Sequence, residues 1–489
     1  LINVNMLESF VASVPSKFET VLDNTSQLRL GIKKEDIVQC IMCCNGVLYI
    51  VDKVFAPSSY RSVIYPALLQ SNGTYSVIYN ALTGFYDKIY PAYDFSPYLS
   101  SMDSHYSLII PYNTETSRLS TVKGKVFRII DPCTFGLATQ RVIEFYYEDG
   151  KVQGVSYEVQ DTSAGAMPSS TTTVLPTTVL QNLLYDLIDN NIIVQDITDG
   201  QEYYKTKTGG VLKAYRENGK LHIDGGYQME KGETLIFPDS CIVKKDNGNT
   251  YGASSAETLE GKLVGVPQTA TKSVYQILQE EQTDTLFSYL LSASSLLSTK
   301  EGKNEPAGND NKNINIFDSY NYTVYVPQDA AIKELIDKGY LPTWKDYDAL
   351  AEAEAHGSES AKQKRETIKT RINNFLRYHI QDNSVFINGG NVSQTYETGK
   401  LNTKTNRFYT LDITADASNL SVVDNTGNKR QVVKSGNMFN KFAREYWIAS
   451  KGTANAMLSS SSYAVVHKID GVLIYDVNEQ LTKWDVDKK

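Results

Sequence analysis

Cysteine is scarce, with five in 489 residues: Cys40, Cys43, Cys44, Cys133 and Cys241. An odd, sparse set in a long chain excludes a disulfide framework. Cys40-x-x-Cys43 has half of a zinc-knuckle spacing, but there is no second such pair and the five histidines are scattered. The apolar neighbours Ile41, Met42, Val47 and Leu48 instead place these thiols in a buried strand. Long hydrophobic runs are missing too. No stretch approaches the ~18 apolar residues of a membrane helix. Fourteen prolines and 31 glycines are too few for a collagenous or low-complexity chain. A basic surplus is also lacking, since 48 Lys+Arg stand against 56 Asp+Glu for a net charge of −8, which argues against a nucleic-acid binder.

Catalytic signatures are missing as well. The sequence contains no G-x-S-x-G elbow, no phosphate-cradling GxxxxGK[ST] loop, no dinucleotide G-x-G-x-x-G and no H-E-x-x-H. Acid pairs exist, Asp186/Asp189 and Glu280/Glu281, and two carboxylates suffice for glycoside hydrolysis. With 56 acids such pairs arise by chance, so a carboxylate-dependent hydrolase is the weakest reading. Catalytic residues, cofactor and metal are all expected to be absent.

Tyrosine is abundant: 33, against 16 Phe and 3 Trp. It suits half-buried strands and wet interfaces, being apolar at one end and hydrogen-bonding at the other. The segment FYDKIYPAYDFSPYL holds Tyr86, Tyr90, Tyr93 and Tyr98, and two prolines break its periodicity. Rigid aromatic contact surface at low entropic cost makes these four the candidate interaction surface.

Internal repetition divides the chain. Tyr106-Ser-Leu-Ile-Ile-Pro-Tyr-Asn-Thr-Glu115 parallels Tyr322-Thr-Val-Tyr-Val-Pro-Gln-Asp-Ala-Ala331, each an apolar run closed by proline and followed by a polar cap residue. Further on, Leu180–Val194 parallels Ile372–Phe386, with Asn182/Asn374, Leu184/Leu376, Ile188/Ile380 and Asn191/Asn383 coinciding. Tyr49-Ile-Val-Asp-Lys-Val-Phe-Ala-Pro57 parallels His467-Lys-Ile-Asp-Gly-Val-Leu-Ile-Tyr475, and Leu259-Glu-Gly-Lys-Leu-Val-Gly-Val-Pro267 is a weaker middle copy. Three units follow: 1–57, the end of a first; 58–268, a second with long insertions; and 269–489, a third. Turn pairs crowd 201–266, Asn218-Gly219 among them, and predict hairpins. Gly209-Gly210 and Gly225-Gly226 read as turns and bulges. Residues 298–315 read as a solvated loop, 349–371 as an exposed helix and 161–178 as a loose connector. Helices early and strands late in each unit, without βαβ alternation, predict an α+β class.

In the third unit these motifs resemble those of fasciclin-type domains: the opening Tyr322–Ala331, Tyr378-His379 in NFLRYHI, and the closing Val465-Val-His-Lys-Ile-Asp-Gly-Val-Leu473. The second unit departs, with Asp186-Leu187 in the place of Tyr378-His379. The resemblance implies tandem fasciclin-like domains, each with a helical opening segment packed against a β-sheet region with hairpins. It also implies an adhesion or binding role without catalysis. Tyr378, His379, Asp470 and Asp52 are then architectural, each aspartate accepting hydrogen bonds from backbone. The long insertions and Asn/Tyr/Lys-rich composition look like surface lipoproteins of Gram-negative Bacteroidota-type bacteria. Such a protein is expected at the outer membrane, anchored through an N-terminus that precedes Leu1. Its expected partner is another surface protein, such as a TonB-dependent transporter with its lipoprotein lid. Direct capture of a glycan or peptide for import is the alternative.

Overall fold

The computed structural model describes residues 19–22, 27–30, 37–52, 55–56, 60–69, 73–84, 95–169, 172–253, 260–308, 311–316, 321–436 and 438–485. Helices and sheets are mixed without regular alternation, an α+β arrangement.

Two sheets are built on one plan. In the first, the opening strand Tyr106–Pro111 runs parallel to a closing strand, Gly248–Ala253. The short strand Ile192–Ile193 flanks the opening strand and Ile242–Lys245 flanks the closing one, both antiparallel. In the second, Asn321–Pro327 runs parallel to Met457–Ile469, with Ile380–Asp382 and Lys441–Ala449 as antiparallel flanks. Register agrees as well: Pro111 lies opposite Ala253, and Pro327 opposite Ile469. A strand covered on both faces must be apolar throughout rather than alternating. Accordingly all six residues of Tyr106–Pro111 are buried, as are Tyr322 through Pro327.

A helix leads into each short flank: Thr177–Asp189 before Ile192, Glu359–Tyr378 before Ile380. Its buried face repeats with the same spacing in both copies: Leu180, Leu184, Leu187 and Ile188, then Ile368, Ile372, Phe375 and Leu376. Residues at i, i+4, i+7 and i+8 share one side of a helix. This equivalence corrects the sequence alignment. The Ile109 amide donates to the Asn191 carbonyl (2.9 Å), as the Tyr325 amide does to that of His379 (2.9 Å). Asn190-Asn191, not Asp186-Leu187, therefore stands where Tyr378-His379 stands. The slip is one helical turn, about four residues. Apolar periodicity recurs at nearly that interval, so a one-turn shift still set apolar residues against apolar residues.

The closing strand of the second unit also lies upstream of its expected place at 259–267. It begins at Gly248, within a turn pair that reads as a hairpin signal alone. A Cβ there would sit 1.9 Å from the Tyr106 carbonyl oxygen, so the parallel partner passes against bare backbone. Asn218-Gly219 does close a two-residue hairpin, both residues having positive φ (51° and 78°), as a type I′ turn needs. Gly225-Gly226 is neither turn nor bulge. Side chains there would meet the backbone of Gln268 and Ala270 at 2.0 and 2.3 Å, so the pair admits the chain's own connecting segment. The expected loop at 298–315 is partly internal, with Ala307, Asn311, Asn313 and Ile314 buried.

Cys40, Cys43 and Cys44 are exposed, against the buried strand expected from their neighbours. They lie on and beside the hairpin of Ile37–Cys43 and Gly46–Val51, where Met42 and Leu48 are also exposed. No residue of this hairpin joins a hydrophobic cluster among the described residues, so its apolar character buries nothing there. Cys133 is buried.

The chain on either side of residue 268 is tied by an ion pair between a buried arginine and a half-buried aspartate. Arg444, its side chain 1% exposed, donates to both oxygens of Asp186 (2.5 and 3.0 Å), to Thr269 Oγ1 (2.9 Å) and to Ser461 Oγ (2.8 Å). Tyr446 and Tyr463 lie 4.5 and 4.8 Å from its guanidinium. Nearby, the Asn182 side chain donates to the Leu458 carbonyl (2.9 Å) and accepts from its amide (3.0 Å). Removing one partner strands a buried charge, whereas replacing both does not. Asp186→Ala should therefore destabilise the chain by about 3–5 kcal/mol in urea denaturation, and the double change Asp186→Leu/Arg444→Met by markedly less.

Candidate binding site

Of the four tyrosines proposed as a contact surface, Tyr86, Tyr90 and Tyr93 lie outside the described residues. Tyr98 sits in the short helix Ser96–Leu99 and is 37% exposed. Its ring packs 5.2 Å from that of Tyr106 in the opening strand and 5.6 Å from the Lys207 ammonium.

Tyr378 and His379 are both fully buried. They close the helix Glu359–Tyr378 against the closing segment. His379 Nε2 accepts from the Leu473 amide (3.0 Å), so the proton resides on Nδ1, which donates to the Phe375 carbonyl (2.8 Å). Burial lowers its pKa to about 4. In the second unit Asn191 makes the same backward bond, donating to the Leu187 carbonyl (2.9 Å) and also to Pro267 (3.0 Å). The Tyr378 hydroxyl accepts from the Asn425 amide (2.8 Å) and donates to the Thr410 carbonyl (3.2 Å), and burial raises its pKa. His467, on the closing strand, is likewise neutral: Nδ1 accepts from Asn440 (3.2 Å), Nε2 donates to Val385 (2.9 Å), and burial lowers its pKa to about 4. Neither ring has a nitrogen left for a ligand.

Asp470 accepts from the Gln431 amide (3.0 Å) but is exposed rather than buried. Asp52 is exposed at the end of its hairpin, where burial imposes no need for such a bond. The acid pairs are occupied elsewhere. Asp186 holds Arg444 and Asp189 holds Lys207 (2.6 Å). Glu280 pairs with Lys272 (2.7 Å), and Glu281 accepts from the Thr283 amide (3.1 Å) and hydroxyl (2.7 Å). Among the described residues no three His, Cys, Asp or Glu side chains are grouped to hold a metal ion. None of their helices is long and apolar enough to cross a membrane.

Among the described residues there is a cleft that the motifs did not indicate. Its volume is about 960 Å³. The floor is the outer face of a four-stranded meander, Tyr203–Lys205, Val211–Glu217, Lys220–Gly225 and Ile236–Phe237. Alternation sends Leu212, Ala214, Leu221 and Ile223 inward to the core. Tyr203, Lys213, Tyr215 and Asp224 face the cleft. The Lys213 ammonium lies 5.8 Å from the Tyr203 ring centre and 4.6 Å from that of Tyr215. Phe439 and Phe442 also line it, the Phe442 ring packing 5.4 Å from that of Tyr203. Two carboxyls here have raised pKa values, both through burial: Asp224, to about 6, and Glu230. Each is committed to structure. Asp224 accepts from Thr234 Oγ1 (3.0 Å) and the Leu235 amide (2.7 Å), and Glu230 from the Thr271 amide (2.9 Å). The alternating run YYK…VLKAYRE is the sequence signal for this floor. What it cannot show is that Phe439 and Phe442, more than two hundred residues downstream, line the same cleft.

No profile of a known protein family matches the chain. Among curated proteins, the cytoplasmic arginine–tRNA ligase of Xenopus tropicalis is 32% identical over 85 residues, which is 16% of this chain and 11% of the ligase's length. Among solved structures, a FAS1 domain pair from the insect cell adhesion molecule fasciclin I aligns over 61% of this chain and 82% of its own. The TM-score is 0.21 and the sequence identity 13%.

The histidines set a pH dependence. A folded, neutral His379 takes up a proton only near pH 4, whereas the unfolded ring does so below 6.5. Its stabilising contribution is therefore intact above pH 6.5 and lost as pH falls towards 4. His379→Asn, which keeps the backward bond as Asn191 does, removes this titration. The stability difference between wild type and variant should shrink by about 1.4 kcal/mol per pH unit between pH 6.5 and 4, measured by denaturation at each pH. A difference that stays constant with pH would contradict the assignment.

Proposed function

We propose that the chain is a non-enzymatic adhesion and binding protein of tandem fasciclin-like units, divided at about residues 57 and 268. The observation that carries this reading is the parallel pair of opening and closing strands, found twice with matching flanks. The motif residues Tyr378 and His379 support it by serving the fold from inside, which leaves loops and clefts for contact. Loops on a rigid scaffold are where binding specificity resides. In the finer reading the protein is a lipoprotein of a Gram-negative outer membrane. It contacts another surface protein there, as an accessory of a TonB-dependent uptake complex.

A second reading is direct capture of a ligand in the cleft. It is favoured by the aromatic lining of the cleft, to which Tyr203, Tyr215, Phe439 and Phe442 contribute.

Affinity purification of the full protein from solubilised outer membrane, after mild cross-linking, tests the first reading. A TonB-dependent transporter or its lipoprotein is expected to co-purify. Replacing Tyr86, Tyr90 and Tyr93 together by Ser should reduce that recovery at least tenfold with the circular dichroism unchanged. Recovery of the wild-type chain alone, as a free monomer, would overturn the partner reading.

A further inference from the structure

The strands Val392–Asn402 and Arg407–Ala415 form a hairpin with an apolar pair at its free end. Leu401 and Phe408 stand opposite each other in register and are 36% and 45% exposed. The turn beyond them is tied by its own bonds. The Asn406 amide donates to the Asn402 carbonyl (2.8 Å) and the Lys404 amide to Asn402 Oδ1 (3.0 Å), with Asn406 at a φ of +54°. Behind the pair the hairpin is fixed to the core. Tyr409 is buried, and its carbonyl accepts from the buried Thr398 hydroxyl (2.8 Å). Held in this way, Leu401 and Phe408 have no local means of covering each other's outer surface.

Charge at this end has one sign. Residues 398–411 hold Lys400, Lys404 and Arg407 and no acid, in a chain of net charge −8. Lys400 is turned inward, its side chain 6% exposed and its ammonium 3.8 Å from Glu479. Lys404 and Arg407 are exposed, and neither forms an ion pair with a carboxylate among the described residues. The strand acids Glu397 and Asp412 lie on the sheet side of the bulge between Glu397 and Leu401, and Asp412 accepts from the Thr395 hydroxyl (2.5 Å). An open hollow of about 510 Å³ beside Phe408 is lined by Asn402, Thr405, Arg407, Thr410 and Asn425, one cation among neutral polar groups. An anionic group entering it would meet no carboxylate.

Apolar side chains next to free cations suit the boundary between water and anionic lipid. The former sink towards the acyl chains and the latter are drawn to the negative surface. That attraction acts within a Debye length, about 10 Å at 0.1 M salt, so the acidic remainder of the chain is largely screened when the hairpin end leads. A specific protein interface engages roughly 20–30 residues on each side. The hairpin supplies no such area of apolar surface, because Ser393, Gln394, Thr395 and Thr414 continue its exposed face as polar residues. Lipid needs no matching surface.

We propose that this hairpin end docks on an anionic lipid surface, with Leu401 and Phe408 entering the headgroup region and Lys404 and Arg407 on lipid phosphates. The proposal is independent of both functional readings. Flotation of the full chain with phosphatidylcholine vesicles, with and without phosphatidylglycerol, tests it. Recovery is expected only with the anionic lipid and should fall at least tenfold in high salt. The double changes Leu401→Ser/Phe408→Ser and Lys404→Glu/Arg407→Glu should each lower it at least tenfold with the circular dichroism unchanged. Met167→Ser, at an apolar site 66% exposed and remote in sequence, should not. Tryptophan emission of Phe408→Trp should move to shorter wavelength, relative to wild type, when the anionic vesicles are added. Equal recovery with both kinds of vesicle, recovery that survives Leu401→Ser/Phe408→Ser, an unmoved emission or no recovery at all would each overturn the proposal. Absence of vesicle recovery together with loss of a co-purifying protein in Leu401→Ser/Phe408→Ser would overturn it in favour of a protein partner.

Discussion

A parallel pair of strands cannot be closed by a hairpin. It needs a long crossover, and its central strands must be covered on both faces. That constraint organises the chain on either side of residue 268. Each opening strand is separated from its closing partner by more than a hundred residues, and everything between must return to the same sheet. A helix delivers the short flank on one side, and a hairpin delivers the closing strand on the other. The buried Tyr378 and His379 seal the helix end where it meets the closing segment. Asn191 performs the backward bond of that seal in the earlier copy.

The constraint also explains where polar groups lie. Asn191, His379 and His467 are buried among apolar neighbours, yet the Asn191 side-chain nitrogen and both nitrogens of each histidine bond backbone groups. Arg444 and Asp186 play a different part. They join the chain on either side of residue 268, and their bidentate contact continues the core across it: Tyr446, Ile448 and Leu458 pack with residues that precede 268. The cleft opens on another side of the same junction, where the meander face meets the 435–442 segment.

The α+β class and the proline-closed opening strands were legible in the sequence because an uninterrupted apolar run ending in proline has few other uses. Register along the helices was not legible. Leu184 and Ile188 satisfy a one-turn slip as well as the true alignment, and only the carbonyls of Asn191 and His379, facing equivalent amides, decide it. The closing strand Gly248–Ala253 was hidden because its glycines and Asn249 carry little apolar signal. Gly248 is there to let Tyr106 approach, a need invisible without the partner strand. The thiols at Cys40, Cys43 and Cys44 misled in the opposite direction: their apolar neighbourhood is genuine, but no layer among the described residues covers it. The cleft was illegible for a further reason. Residues that line it lie more than two hundred positions apart, and no local pattern joins Tyr215 to Phe442.

Amide hydrogen exchange on the full chain tests the central claim most directly. If one strand pairing was used twice, the amides of Tyr106–Pro111 and Gly248–Ala253 should exchange as slowly as those of Asn321–Pro327 and the later half of Met457–Ile469. Each partner within a pair should lose protection together with the other as denaturant is added. Rapid exchange in Gly248–Ala253, on the scale of the exposed hairpin at Ile37–Cys43, would contradict the duplication.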